Sequence, residues 1–416
     1  MPNLTSLLGL VTMIALAWLM SSHKGKFPWR IVVSGILLQF AFAFLILNTS
    51  AGKSIFEQVD HLFVGLLESV DVGAEFMFGD SFKDHFFAFR VLPTIVFFSA
   101  FMSIFYYFGI IQKVVGLLAI VMQKTLGTSG AETLSAAANI FVGQTEAPLV
   151  IRPYISSMTT SELNAVMVGG FATMAGGVLG ALSAMGINAG HLLSASVISA
   201  PGALLLAKVM QPEVDTPKTS GHVDIEVDDA SVNVLEAIAK GTTGGLHLAL
   251  NVGAMVIVFL ALIAVINGVL GWAGTLCGYV DADDNAVWSL QAALSYLFYP
   301  LAWLIGIESA DCGKAAELMG LKMATNEFVA YATLAEWAPV GADGSIGTEV
   351  VSERTRQIMT YGLCGFANFS SIGIQLGGIG GIAPERRSDL ARLGLRAMLG
   401  GTLAAFMTAC IASLLV

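Results

Sequence analysis

The chain has 416 residues, of which 56% are hydrophobic and 12% are charged, and its mean hydropathy is +0.77. This composition excludes an ordinary soluble globular domain and indicates a polytopic helical membrane protein. The net charge of −10 is concentrated in acidic clusters at residues 213–229 and 281–284, which we interpret as solvated loops, and the lack of a basic patch interleaved with aromatic residues argues against nucleic-acid binding.

Eight apolar stretches are predicted to cross the bilayer, whose core requires roughly 20 apolar residues. They are Leu4–Met20, Ile31–Leu47, Val91–Ile111, Val166–Ile187, Leu192–Met210, Leu246–Leu270, Tyr361–Ile382 and Leu395–Val416. The first lacks the basic segment and cleavage site of a signal peptide, so we expect it to be retained. Ser54–Phe78 mixes five acidic residues with apolar ones and is expected to be an amphipathic helix at the membrane interface.

Two further apolar stretches, Thr133–Ser157 and Val287–Tyr331, are interrupted by polar tips. The tips read Gly143-Gln144-Thr145-Glu146-Ala147-Pro148 and Asn326-Glu327-Phe328. We predict two re-entrant hairpins, because irregular backbone is tolerated in a membrane only where protein buries it or where it lines a cavity. A carboxylate at membrane depth costs about 3 kcal/mol or more, so each glutamate is predicted to be functional.

The positions of lysine and arginine predict the orientation of the chain. The loop at residues 23–30 and the loop at residues 386–396 are basic and are expected to be cytoplasmic, which places both termini in the periplasm. The first hairpin then opens from the cytoplasm and the second from the outside. Arg354 and Arg356 fall on the outer side, against the rule.

An internal repeat links the two hairpins. Gly170-Phe171-Ala172-Thr173 recurs 195 residues later as Gly365-Phe366-Ala367-Asn368, and each copy follows a hairpin. Because the hairpins open on opposite sides, the two halves are predicted to be inverted repeats. Such repeats, with discontinuous helices, place substrate and ion sites near the bilayer midplane.

The first tip sets the carbonyl end of one half-helix against the N–H end of the next. The carbonyls near Val142, the amide oxygen of Asn139 and the hydroxyl of Thr173 form an all-oxygen set that suits a hard alkali cation and not a transition metal. The N–H end, with the side chains of Gln144 and Thr145, suits hydrogen-bond acceptors on a polar ligand.

The second tip and its repeat partner suit a sugar, because a carboxylate with amides and hydroxyls can bind adjacent hydroxyl groups. The residues concerned are Asn326, Glu327, Asn368, Ser370 and Ser371. Phe328 and Phe369 are expected to be core residues. Arg90 is expected to pair with a carboxylate or a lipid headgroup, and Lys322 to be a capping or interfacial cation.

The stretch Gly320–Tyr331 resembles the signature G-x-K-x3-N-E-F-V-A-Y of concentrative nucleoside transporters. The tip Gly143–Pro148 and the run Cys364–Ser371 match that family as well, and the likeness covers nearly the whole chain. It is similar to a bacterial member without the extra spans and tails of animal members. The resemblance implies an all-α fold with eight transmembrane helices, two opposed re-entrant hairpins, inverted repeats with discontinuous helices, and an elevator-type transport domain on a trimeric scaffold.

The resemblance also implies roles for individual residues. The nucleobase contacts are Gln144, Thr145, Glu146, Val178 and Leu248. The ribose contacts are Glu327, Phe366, Asn368 and Ser371. The sodium ligands are Asn139, Val142, Thr173 and Met174, of which Val142 and Met174 act through backbone carbonyls.

Five segments follow from this interpretation. Residues 1–112 are scaffold spans with the interfacial helix, 113–210 the first transport repeat, 211–245 a polar cytoplasmic linker, 246–272 a scaffold span, and 285–416 the second transport repeat. Each transport repeat consists of a hairpin and two spans.

The predicted function is a sodium-coupled symporter, not an enzyme, that imports nucleosides across the bacterial inner membrane. The expected substrates are uridine-like pyrimidine nucleosides and purine nucleosides, with sodium as coupling ion and no organic cofactor. The nearest alternative is a proton-coupled symporter of the same family, with Glu146 or Glu327 as carrier. An intramembrane hydrolase and a non-transporting membrane sensor are further alternatives, although aspartyl dyads and zinc motifs are both absent.

Overall fold

The structure, a computed structural model, describes residues 2–219, 231–279, 288–337 and 350–416. Within these ranges the chain is α-helical, with short 3-10 and π segments and no strand, which confirms the predicted all-α class. The physical reason is the solvent, since a helix satisfies its own backbone hydrogen bonds and lipid offers none. The acidic loop at residues 281–284, most of the linker at 213–229, and the loop at 339–349 lie outside the described residues.

The N-terminal part contains five helices. They are α1 (Pro2–Leu19), α2 (Trp29–Leu47), α3 (Ser50–Phe78), α4 (Leu92–Tyr107) and α5 (Ile110–Leu126). α3 is the expected amphipathic helix, and the side chain of Thr49 caps it by accepting from the N–H of Gly52 at 3.0 Å. Arg90 pairs with Asp71 on α3 through bonds of 2.9 and 3.1 Å, so its predicted carboxylate partner is present.

The first repeat consists of α5 and the six helices that follow it. They are α6 (Gly130–Ala138), α7 (Ala147–Val150), α8 (Arg152–Ile155), α9 (Thr160–Ala172), α10 (Gly176–Ala184) and α11 (Ala189–Met210). The first hairpin is formed by α6, α7 and α8. The predicted span Val166–Ile187 is not continuous, because the helix breaks at residues 173–175 between α9 and α10.

The C-terminal part follows the same order after one long helix. Its helices are α12 (Val234–Leu276), α13 (Leu290–Ile305), α14 (Cys312–Ala324), α15 (Glu327–Glu336), α16 (Glu353–Gly362), α17 (Phe369–Ile382) and α18 (Arg387–Leu415). The predicted hairpin Val287–Tyr331 is too long, because α13 is a separate helix that ends at Ile305 and is followed by Gly306, with φ of +94°. The hairpin consists of α14 and α15. The span Tyr361–Ile382 is broken between α16 and α17.

The two hairpins have their bases at opposite ends of α18, which is 29 residues and therefore about 43 Å long. At its start, the guanidinium of Arg386 donates to the carbonyl of Met158, at the exit of the first hairpin, at 2.7 Å. Near its end, the carbonyl of Ser413 accepts from Arg354 at 2.7 Å, and Arg354 also donates to Gly306, before the second hairpin, at 2.9 Å. The hairpins are thus opposed, as inverted repeats require.

The described part has six helical stretches that are long and apolar enough to cross a membrane. They are Trp29–Leu47, Phe87–Tyr107, Thr160–Ala184, Ala189–Met210, Val234–Leu276 and Pro384–Leu415. Of the other two predicted spans, the first is a shorter apolar helix and the seventh is the broken α16–α17. α9, α10, α11 and most of α18 are buried, whereas α12 exposes large apolar side chains along its length.

Candidate functional site

The two broken helices touch each other at the centre of the fold. α9 ends at Ala172, and the break between α16 and α17 passes directly over it at Gly365. Gly365 has φ of +100°, and a Cβ added there would lie 2.5 Å from the carbonyl oxygen of Phe171. Both the conformation and the close approach require glycine at this position, the first residue of the second copy of the repeated motif.

The tip of the first hairpin is held against the break of its own repeat. The N–H of Gly176, the first residue of α10, donates to the carbonyl of Phe141 at 2.9 Å. Within the tip, the carboxylate of Glu146 accepts from the N–H of Gly143 at 3.2 Å. The backbone of the tip is therefore fixed on one side by α10 and on the other by its own glutamate.

The same tip reaches across to the second repeat. The side-chain amide of Gln144 donates to the hydroxyl of Ser371 at 3.2 Å and accepts from the amide of Gln375 at 3.1 Å. Thr145 packs against Gly378, where an added Cβ would lie 2.7 Å from the Thr145 methyl group. A predicted base-contact residue and a predicted ribose-contact residue are thus hydrogen-bonded to each other.

Gln375 was not predicted to belong to the site. It is fully buried on α17, and its amide also donates to the carbonyl of Met167 on α9 at 3.1 Å. The sequence shows an amide in an otherwise apolar span, and polar side chains inside membranes usually have a specific partner, but only the structure identifies that partner.

The second tip forms the other half of the site. Asn326 caps α15 by accepting from the N–H of Val329 at 3.0 Å. Glu327 is only 4% exposed and accepts from the amide of Asn368 at 3.0 Å. Asn368 in turn caps α17 by accepting from the N–H of Ser371 at 2.9 Å. The structure therefore brings Glu327, Asn368 and Ser371 together in one network that continues to Gln144.

The phenylalanines near this network differ in exposure. Phe328 is 2% exposed and lies in the core, as predicted. Phe369 is 50% exposed, so its predicted core position is wrong. Phe366 is 8% exposed, and it precedes Asn368 by two residues in the break.

A cavity of about 970 Å³ lies beside the first tip, between α4, α12 and the first hairpin. Glu146, Val142 and Leu248 line it, together with Gly176 and Gly177 of α10. Glu146 is exposed to this cavity and not buried. Val178, predicted to contact the base, is fully buried and does not line the cavity, and the network around Glu327 also lies outside its lining.

The predicted cation ligands lie where the first hairpin meets α9. The amide of Asn139 donates to the carbonyl of Ser135 at 3.0 Å, while its buried oxygen has no hydrogen-bond partner among the described residues. The Thr173 hydroxyl donates to the carbonyl of Gly169 at 2.9 Å, which leaves its oxygen lone pairs available. Val142 and Met174 are 5% and 0% exposed. An unpartnered amide oxygen, a hydroxyl and backbone carbonyls fit a hard monovalent cation.

Lys322 is buried and not interfacial, with 2% exposure. Its ammonium donates to the carbonyl of Cys364, in the break between α16 and α17, at 3.0 Å. Lys322 therefore binds a carbonyl in the break and is not the interfacial cation that the sequence offered as one of two possibilities.

Three family models match successive parts of the chain. Residues 8–81 match "Na+ dependent nucleoside transporter N-terminus", residues 88–188 match "Nucleoside recognition", and residues 191–413 match "Na+ dependent nucleoside transporter C-terminus". Together they cover most of the N-terminal helices, both hairpins and both broken helices.

Curated relatives extend over the same length. An uncharacterized transporter of Haemophilus influenzae is 47% identical over 424 aligned positions, covering 100% of this chain and 98% of that protein. Solute carrier family 28 member 3 of Eptatretus stoutii is 44% identical over 98% of this chain and 60% of its own length, and sodium/nucleoside cotransporter 1 of Rattus norvegicus is 42% identical over 99% and 64%. The chain thus spans about 60% of the length of these animal relatives.

Solved structures share the fold. CNTnw in an inward-facing substrate-bound state superposes with a TM-score of 0.90 at 41% identity, covering 100% of this chain and 98% of that one. A variant of CNTnw in an outward-facing state gives 0.89 at 40% identity with the same coverage. With the family models and the full-length bacterial relative, these similarities show that the chain belongs to the Na+-dependent nucleoside transporter family.

Proposed function

We propose that this protein is a sodium-coupled symporter that imports nucleosides across the bacterial inner membrane. The observation that carries the proposal is the hydrogen-bonded network from Gln144 through Ser371 and Asn368 to Glu327, which joins the two hairpin tips. A ligand that inserts into this network engages both repeats at once. Uridine-like nucleosides and purine nucleosides have the matching chemistry, with acceptors and donors on the base and adjacent hydroxyls on the ribose.

The second tip would hold the ribose. The carboxylate of Glu327 accepts hydroxyl hydrogens, and the bond from Asn368 at 3.0 Å already orients it. Ser371 and Phe366 complete this side of the ligand. A carboxylate with only 4% exposure gains more from such bonds than an exposed one, because water competes less for it.

The first tip would hold the base. Gln144 and Thr145 offer an amide and a hydroxyl beside α17, and Glu146 and Leu248 line the adjoining cavity. Val178 is fully buried on α10, two residues beyond Gly176, whose N–H bonds the Phe141 carbonyl, so it would support the tip from α10. The polar side chains of the site would hydrogen-bond to the edge of the base, and its apolar side chains would pack against the faces of the base.

Sodium would couple to the nucleoside through the same tip. Asn139 and Val142 precede Gln144 by five and two residues, so a cation held by them and by the hydroxyl of Thr173 and the carbonyl of Met174 fixes the backbone that carries the base contacts. By linkage, sodium then strengthens nucleoside binding by the same factor by which the nucleoside strengthens sodium binding.

Movement and assembly complete the proposal. The hairpins with their broken helices would move as a transport domain in an elevator mechanism, against a scaffold that forms a homotrimer. The exposed apolar side chains of α12, among them Ile257, Val265 and Trp272, support a surface in contact with lipid or with partner subunits. Both termini would lie in the periplasm.

Uptake of labelled uridine into proteoliposomes tests the function. With an inward sodium gradient we expect faster accumulation than with an equal potassium gradient, and recovery of unmodified uridine from the lumen. Equal rates in sodium and potassium would overturn sodium coupling, and stimulation by an inward proton gradient alone would establish the proton-coupled alternative.

A further inference from the structure

Lys322 is a buried cation that the proposed binding of sodium and nucleoside leaves unused. Its ammonium donates to the carbonyl of Cys364 at 3.0 Å, and no ion pair within 4 Å includes it in the described part of the chain. The carboxylate of Glu327 lies more than 4 Å from the ammonium of Lys322 and interacts with its charge over that longer distance. A buried ammonium without a close counter-ion is costly, so its surroundings must stabilise it in another way.

The carbonyl end of a neighbouring helix contributes to that stabilisation. α14 ends at Ala324, two residues after Lys322, and α16 ends at Gly362, two residues before Cys364. α14 and α16 contact each other, and the ammonium bonds the carbonyl of Cys364 just beyond the carbonyl end of α16, where partial negative charge accumulates. The neighbouring carbonyl of Thr360 is satisfied by a hydroxyl, that of Tyr331, at 2.7 Å.

The first repeat has an equivalent pair of contacting helices, but no cationic side chain. α6 ends at Ala138 and packs against α9, which ends at Ala172. Neither residues 130–151 nor residues 160–184 contain lysine or arginine. The residue equivalent to Cys364 in the 195-residue repeat is Gly169, and beside it lies Asn139, whose amide oxygen lacks a partner among the described residues.

From this comparison we infer that the ammonium of Lys322 is a tethered cation, which takes in the second repeat the place that a sodium ion takes in the first. The inference rests on the proposed function, since it assumes the cation site at Asn139 and Thr173. Lys322 is a positioning residue: it holds the break at Cys364 and, through the field it shares with Glu327, keeps the ribose side of the site formed at any sodium concentration. Only the first hairpin then depends on a cation from solution.

Removing the ammonium of Lys322 by substitution tests the inference. Lys322→Ser removes the ammonium and leaves room for a free ion, and Lys322→Arg keeps the charge. Lys314→Ser is the matched control, because Lys314 lies on the same helix with its side chain 48% exposed. For each purified protein we would measure the melting temperature and the uridine uptake of proteoliposomes over a range of sodium concentrations.

We expect uptake by Lys322→Ser at low sodium to fall by about tenfold. High sodium should restore much of that uptake and should raise the melting temperature of this variant more than that of the wild type. The Hill coefficient for sodium should rise from about 1 toward 2, because a second free ion now binds. Lys322→Arg and Lys314→Ser should keep the wild-type sodium dependence.

Two results would overturn the tethered cation. One is a folded Lys322→Ser protein with the wild-type sodium dependence, and the other is a loss of folding or uptake that no sodium concentration reverses. If uridine uptake by the wild-type protein does not depend on sodium, the proposed function fails instead. The melting temperatures measured over the same sodium range still decide whether a free cation can replace the ammonium of Lys322.

Discussion

Replacement of Glu327 by glutamine changes one charge at the centre of the proposed ribose site and almost nothing else. Glutamine has nearly the same shape, and its carbonyl oxygen can still accept from the amide of Asn368, which lies 3.0 Å from the carboxylate. The cap that Asn368 forms on the N–H of Ser371 is untouched. We therefore expect a folded protein whose affinity for nucleosides is reduced.

The size of the reduction follows from the bonds involved. A hydrogen bond to a carboxylate contributes about 1 kcal/mol more than a bond to a neutral acceptor. Two ribose hydroxyls on one carboxylate then account for about 2 kcal/mol of binding free energy. Its loss corresponds to a roughly 30-fold higher dissociation constant. The burial of Glu327, at 4% exposure, makes this estimate a lower bound because water cannot replace the lost bonds.

Calorimetric titration of detergent-solubilised protein at saturating sodium would measure the effect. Uridine should bind the Glu327→Gln variant about 30-fold more weakly, whereas 2′,3′-dideoxyuridine, which lacks both hydroxyls, should lose less than about threefold. Glu336→Gln is the matched control, since Glu336 lies at the exposed end of the same helix. An equal loss for both ligands would refute a contact between Glu327 and the ribose.

Three further variants test the surroundings of the site. Asn139→Ala should raise the sodium concentration for half-maximal uridine uptake by about tenfold, because about 1.4 kcal/mol of ligation is lost, and an unchanged value would remove Asn139 from the cation site. Gly365→Ala places a Cβ 2.5 Å from the carbonyl of Phe171 at a positive φ, so we expect a lower melting temperature from a cost of about 2 kcal/mol or more. Lys208 pairs with buried Glu132 at 2.7 Å, so Lys208→Met should destabilise the protein by about 3 kcal/mol, and adding Glu132→Gln should recover most of that loss in thermal unfolding.

The sequence predicted the chemistry of the site better than its geometry. The glutamate tips and the glycine-led repeat are local patterns, so the residues Gln144, Glu327, Asn368 and Ser371 could be singled out without a structure. That Gln144 bonds to Ser371, 227 positions away, depends on how the repeats dock and has no local signal. The exposure of Glu146 to a cavity is of the same kind.

Hydropathy also failed to separate some helices. α13 was predicted as part of the second hairpin, because its sequence is mostly apolar and contains no charged residue up to Gly306. α5 was not predicted, because its lysines and glutamines make it too polar for a span. Both are short helices that precede a hairpin, and their equivalence is visible only when the two repeats are compared in the structure.

By itself, the sequence determined that the protein lies in a lipid bilayer, that it is helical, that it has two hairpins, and which residue types lie at their tips. These properties follow from composition and from contiguous motifs. The tertiary structure alone decided that Gln375 joins the site, that Phe369 leaves the core and that Lys322 binds the carbonyl of Cys364. The physical reason is the membrane: faces toward lipid and faces toward protein are both apolar, so periodicity does not reveal which side of a helix faces the site.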